Sequence, residues 1–264
     1  MKHGLKPGSA KTGNMPDSPI LEIRDLCKVF SINGSCLNVL ENISFNASEG
    51  EFICILGPSG CGKSTILKII SGFVSPESGR IMLNNRPVLK PGADRCMVFQ
   101  EDALFPWLTV EENIVFGLKG KQDKDIIKHE SERFLSLTGL TLFRDYLPHE
   151  ISGGMKQRVA LARVLILKPK VLLMDEPFGA LDAQTREDMQ NLLLSLWEKL
   201  SHTIIFVTHD VSEAVKLADR ILVMDRNPGR IRERITVDLK RPRKIEDLQF
   251  HEFCKKVYNI SCCK

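Results

Sequence analysis

The run Gly57-Pro58-Ser59-Gly60-Cys61-Gly62-Lys63-Ser64 fits G-x-x-x-x-G-K-[ST]. Its glycines let the backbone curl so that N–H groups converge on phosphate oxygens. An apolar run, Phe52–Leu56, precedes it and another, Ile66–Ile70, follows it. That is the strand–loop–helix context the pattern needs, and the helix N-terminus adds favourable partial charge. Lys63 is suited to bridge β- and γ-phosphates, and Ser64 to ligate Mg²⁺. A second stretch, Val171-Leu172-Leu173-Met174-Asp175-Glu176, is an apolar strand that ends in two carboxylates. Asp175 suits the surroundings of Mg²⁺, and Glu176 points elsewhere and suits polarising an attacking water. Alone, this stretch also reads as a strand with a solvated acidic turn. Ser152-Gly153-Gly154 opens a helix with free N–H groups and little side-chain bulk, a second anion-binding design and equally a loop with a good N-cap. His209 follows an apolar strand, where a histidine is ordinarily a satisfied structural residue.

The elements that must hold these residues follow from pattern. Leu21–Phe30, Asn38–Phe45 and Glu51–Leu56 read as strands, and Arg80–Leu83 with Arg86–Leu89 as a hairpin about Asn84-Asn85. Helices are expected around Val110–Leu118, Ile126–Thr138 and from Ser152 to Lys168, where Pro169 stops the last. Then strands Val171–Met174, Thr203–Thr208 and Arg220–Met224 alternate with helices Thr185–Leu200 and Val211–Ala218. Such alternation implies crossovers and a parallel sheet. The fold expected is α/β: a phosphate-loop NTPase core, an N-terminal antiparallel β part and a helical insert near 101–165. Residues 1–19 read as a flexible tail, 20–240 as the folded unit and 241–264 as a basic tail, the chain after Asp225 being basic and irregular.

With 264 residues, 43% hydrophobic and 27% charged, the chain can bury a sizeable core, which excludes a wholly disordered or collagenous chain. The net charge of +4 divides into about +2 over 1–19, +6 over 226–264 and −4 between them. No nucleic-acid motif accompanies the basic ends, so no nucleic-acid partner is expected. Eight cysteines are too few for a disulfide scaffold and suit a reducing, cytosolic setting. No apolar stretch reaches membrane-spanning length, so any membrane role is expected to be peripheral. His251, Cys254, Cys262 and Cys263 fit no usual zinc spacing.

Taken in order, these motifs resemble the nucleotide-binding subunit of an ATP-binding-cassette (ABC) transporter. The resemblance covers the phosphate loop, Gln100 as the Q-loop glutamine, the signature Ile151–Gln157, the Walker B stretch Val171–Glu176, the D-loop Gly179-Ala180-Leu181-Asp182 and the switch histidine His209. It implies that Gly57, Pro58, Ser59, Gly60, Cys61, Gly62, Lys63, Ser64 and Thr65 bind ATP. It implies that Phe30 stacks on adenine, a position where a core Phe is the rival reading. Catalysis falls to Glu176, His209 and Gln100, and Mg²⁺ to Ser64, Gln100 and Asp175. It also implies a head-to-tail homodimer, in which Ser152, Gly153, Gly154 and Met155 face the partner's ATP, with Ala180, Leu181 and Asp182 as the D-loop. The family's usual signature is Leu-Ser-Gly-Gly-Gln, whereas this chain has Ile-Ser-Gly-Gly-Met, and Met155 cannot hydrogen-bond as Gln does.

Further stretches, among them Met97–Val110, Phe178–Arg186 and Asn227–Ile231, resemble the nitrate/sulfonate/taurine branch of bacterial importers. That branch implies an integral-membrane permease, an extracytoplasmic binding protein and a place on the cytoplasmic face of the membrane. Importers of pyrimidine vitamin precursors or bicarbonate, and soluble ABC ATPases, are the alternatives. Phe105-Pro106-Trp107-Leu108 is an aromatic loop that is hard to bury, and Phe105 and Trp107 are read as permease contacts.

Overall fold

The computed structural model describes residues 19–32, 34–99 and 103–262. Strands β1 (Leu21–Ile32), β2 (Ser35–Ala47), β4 (Ser78–Leu83) and β5 (Arg86–Pro87) form an antiparallel sheet in the order β2-β1-β4-β5. The second sheet runs β10-β9-β3-β8-β7-β6, from β3 (Phe52–Leu56), β6 (Arg95–Val98), β7 (Val171–Asp175), β8 (Thr203–Thr208), β9 (Arg220–Asp225) and β10 (Arg230–Thr236). All its neighbours pair in parallel except β10, which is antiparallel to β9.

Every residue of β3 and β8 is buried, as expected of parallel strands covered on both faces. Alternation along β3 feeds two cores. Phe52, Cys54 and Leu56 join the core beneath α4 (Gly153–Leu165), α5 (Ala183–Leu200) and α6 (Val211–Leu217). Ile53 and Ile55 face the opposite side, with α1 (Lys63–Ser71) and the antiparallel sheet. The helical insert is α2 (Val110–Val115), α3 (Lys124–Thr138) and α4. β6 is not legible as a strand because it holds four residues and begins with a charge; Arg95 is buried there, bonded to Asp94 and the Lys90 carbonyl. α4 ends at Leu165 rather than Lys168. Lys168 takes a left-handed φ of 51°, consistent with the exclusion of helical backbone before proline.

The expected tail over 241–264, and the irregular chain after Asp225, are corrected by the structure. β10 extends the sheet, and α7 (Leu248–Cys262) returns onto the core with Phe250 and Val257 buried. Phe250, Phe253, Val257 and Ile260 make an apolar helical stripe that the surrounding basic residues mask in the sequence. Arg243 is buried and donates to the carbonyls of Val215, Lys216 and Ala218 at the end of α6, and to those of Val237 and Leu239. Burial lowers its pKa to about 10. A boundary at residue 240 therefore falls inside one continuous packing unit. Cys254 also packs against the core, and burial raises its thiol to about 11. The expected flexible tail lies outside the described residues up to residue 18, as does Cys263.

Candidate functional site

The phosphate loop joins β3 to α1. Gly62, at φ 94°, stands at the N-cap of α1, and no side chain caps that helix. Its first N–H groups are thus left for a ligand. A Cβ on Gly62 would lie 2.5 Å from Leu40 Cδ2, so packing adds to its left-handed φ in favouring glycine; one on Gly57 would lie 2.9 Å from Cys61 Sγ and 3.1 Å from the Met224 carbonyl oxygen, so there packing alone favours glycine. Lys63 is only 5% exposed and donates to the carbonyl oxygens of Gly57 (2.8 Å) and Pro58 (3.1 Å). Cys61 is buried, and loss of solvent pushes its thiol above the ordinary value. A cleft of about 370 Å³ opens here, lined by Ser59, Gly60, Gly62, Lys63, Ser64, Thr65, Asp175 and Glu176, with Val39 at its side. Pro58 is exposed beside it.

The two carboxylates diverge because the chain turns sharply where it leaves β7. Asp175 is the last strand residue, and Glu176 takes φ 44°, a left-handed value uncommon for a residue with a side chain. Ser64 Oγ donates to Asp175 Oδ1 at 2.9 Å. Burial pushes the Asp175 carboxyl up, against the hydrogen bond from Ser64. Glu176 instead places Oε1 at 3.5 Å from Lys63 Nζ and Oε2 at 2.9 Å from His209 Nδ1. Ser64 and Asp175 offer hard oxygen donors side by side at the helix N-terminus, a donor set that fits Mg²⁺.

Ser152, Gly153 and Gly154 do not line this cleft. Ser152 caps α4 by accepting from Met155 N at 3.3 Å. Gly154 is close-packed, since a Cβ there would lie 2.6 Å from Thr185 Cγ2, whereas Gly153 faces open space. Nothing among the described residues explains glycine at 153. Met155 is half-buried against the main core. In the D-loop, Ala180 is exposed and Leu181 packs on the core. Asp182 caps α5 through Thr185 N at 3.1 Å, and that N–H holds its carboxyl below the ordinary range.

Gln100 lies outside the described residues. Phe30 is half-buried, with Lys28 Nζ 5.1 Å from its ring centre, and Val39 rather than Phe30 lines the cleft. Phe105 packs on Phe116 with ring centres 4.4 Å apart, and Trp107 beside it is 72% exposed. Sequence reasoning missed what shapes this loop. Asn113 is fully buried; its Oδ1 accepts from Phe105 N, and its Nδ2 donates to the carbonyls of Phe105, Leu108 and Thr109. It also missed the structural role of Gly229. A Cβ there would meet Cys61 O at 2.1 Å, and its N–H donates to Val39 O, so it locks the phosphate loop against β2.

A family model described as ABC transporter matches residues 40–179. The chain is 47% identical over 244 residues to an uncharacterized ABC transporter ATP-binding protein of Methanocaldococcus jannaschii, covering 91% of this chain and 90% of that one. It is 46% identical over 239 residues to the aliphatic sulfonates import ATP-binding protein of Bacillus cereus, covering 90% and 94%. It is 49% identical over 221 residues to the nitrate import ATP-binding protein of Synechocystis, covering 83% of each. Among solved structures, a dimeric ATP-binding cassette in a post-hydrolysis state bound to ADP and Pi superposes with a TM-score of 0.71 at 30% identity, covering 83% of this chain and all of that one. The family match, the relatives and the cleft geometry agree that the chain belongs to the ABC transporter family, as an ATP-binding subunit.

Proposed function

We propose that this chain hydrolyses ATP to ADP and phosphate to energise import of a small anion, an aliphatic sulfonate, taurine or nitrate, with Glu176 as the base. The observation that carries the reading is the convergence of Lys63, Ser64, Asp175 and Glu176 on one cleft, with His209 tied to Glu176. The loop N–H groups from Gly57 to Thr65 cradle the phosphates, and Lys63 moves from its carbonyl partners onto the β- and γ-phosphates. Ser64 and Asp175 hold Mg²⁺, together with Gln100. When bound, the ion neutralises charge on the phosphates. Glu176 accepts the proton of the attacking water, and His209 contacts the γ-phosphate while orienting that carboxylate. Phe30 contributes an adenine contact from the β1–β2 hairpin.

One cleft holds one face of the nucleotide. The open surroundings of Gly153, at the N-terminus of α4 and outside the cleft, support closure of the site by a second copy. In that head-to-tail homodimer Ser152, Gly153, Gly154 and Met155 meet the partner's ATP, and the Ala180-Leu181-Asp182 loops pass one another. Among the described residues no helix is long and apolar enough to cross a membrane, which supports a peripheral subunit seated on permease subunits through Phe105 and Trp107. An extracytoplasmic binding protein delivers the anion to that permease. The names of the sulfonate and nitrate relatives support the cargo class. Phosphate release by the purified chain tests the reaction: wild type turns over with Mg²⁺ and ATP, Lys63→Ala does not. Unchanged turnover in Lys63→Ala overturns the assignment. Uptake of labelled taurine and nitrate in cells carrying the cognate permease separates the cargoes.

A further inference from the structure

Beside Glu176 and His209 lies a small, partly open pocket of about 50 Å³ whose polar lining is Glu176, Arg186, Thr208, His209, Asp210 and Glu213. Glu213 sits on α6 and is only 7% exposed. Its Oε2 accepts from Thr208 Oγ1 at 2.5 Å and its Oε1 from Gln190 Nε2 at 3.1 Å. Its own N–H donates to Asp210 Oδ1 at 3.1 Å, and Asp210 N donates to Thr208 Oγ1 at 3.0 Å. Thr208 and Asp210 are the residues on either side of His209. One residue therefore fixes both neighbours of the histidine while the imidazole stays 59% exposed.

Helix capping explains Asp210 and the amide of residue 213, but not the buried carboxylate. Burying a carboxylate is unfavourable, and an apolar side chain against this core would avoid that cost. Burial in fact pushes the Glu213 carboxyl up, against its two hydrogen bonds. Arg186 adds a second strand to the arrangement. Its Nη2 donates to the D-loop carbonyl of Leu181 at 2.7 Å, and its Nε is buried without an acceptor among the described residues. The cavity it lines is large and polar enough for a bridging water.

We propose that Glu213 is a positioning residue for ATP hydrolysis: acting through Thr208 and Asp210, it holds His209 against Glu176. Arg186 extends this frame to the D-loop. The inference rests on the reading of Glu176 and His209 given above.

The test is a double-mutant cycle on the full chain, with phosphate release as the readout. Glu213→Ala is expected to lower kcat about tenfold or more with KM for ATP changed less than about twofold, the signature of lost transition-state interaction. Glu213→Gln keeps an acceptor for Thr208 and a partner for Gln190, so it restores most of the rate. In a His209→Ala background, Glu213→Ala costs nothing further, because its effect passes through that histidine. Should Glu213→Ala fail to fold, Thr208→Val removes the hydroxyl at constant shape and serves in the same cycle. Losses that multiply in the double variant, a Gln variant no better than Ala with an intact melting curve, or a KM effect in place of kcat each overturn the proposal. Full turnover in His209→Ala overturns the underlying site reading as well. A large loss in His209→Ala with multiplying losses overturns this inference alone.

Discussion

His209 Nδ1 lies 2.9 Å from Glu176 Oε2, joining the end of β8 to the turn after β7. The bond holds the carboxylate away from Asp175 and leaves Asp175 to Ser64. Two adjacent carboxylates thereby receive two different partners, the division that the proposed roles, one toward a cation and one toward a proton, require.

Glu176→Gln is expected to abolish proton acceptance while keeping shape and the His209 contact. Turnover should fall by about 100-fold or more, the usual scale for loss of a general base. The variant should retain ATP and run as a dimer in size-exclusion chromatography with nucleotide. Hydrolysis at the wild-type rate would show that another group is the base.

Cys61 is 1% exposed, and burial raises its thiol above the ordinary value. Since the thiolate is the reactive form, a maleimide should label it slowly near neutral pH and faster as pH rises. Exposed Cys36 should react first. Labelled Cys61 should block ATP binding, and prior ATP should protect it; mass spectrometry of tryptic peptides reads both.

Asn113→Ala leaves the Leu108 carbonyl and the Phe105 N–H without their partner, while the carbonyls of Phe105 and Thr109 keep bonds from Leu108 N and Asn113 N. Buried groups left unpaired cost about 1–3 kcal/mol. The urea midpoint should fall accordingly, and limited proteolysis should cut near Trp107.

Trp107→Ala removes an exposed ring, so the urea midpoint should move by less than about 0.5 kcal/mol equivalent. Permease-dependent uptake should nevertheless fall sharply. Unaffected uptake would remove this loop from the docking surface.

Glu111 accepts from Arg144 and Ser131, tying α2 to α3 and to the segment after it. Partial burial pushes its carboxyl up, but these hydrogen bonds outweigh that and hold it below the ordinary carboxylate range. A depressed carboxyl stabilises the fold above the unfolded value and loses that contribution as pH falls through the folded one. Glu111→Gln should therefore lower the urea midpoint at pH 7, and the gap to wild type should close as pH falls below the ordinary glutamate value and on through the lowered one.

Much of this molecule is written in local pattern. The phosphate loop is legible because Gly57 to Ser64 must adopt one backbone path, and that demand restricts residue types directly. The strands of the parallel sheet are legible because burial on both faces requires unbroken apolar runs. Ser152 is legible as a helix cap, since capping is settled within a few residues. What the tertiary structure alone decided depends on partners distant in the chain. Arg243 looks like one more charge in a basic tail until five carbonyls surround it. Asn113 and Glu213 look like ordinary polar helix residues until the loop and the histidine they hold fold against them. Gly229 reads as a turn glycine until Cys61 O arrives where its side chain would be. A buried polar group takes its role from what closes over it, and that is a property of packing rather than of neighbouring residues.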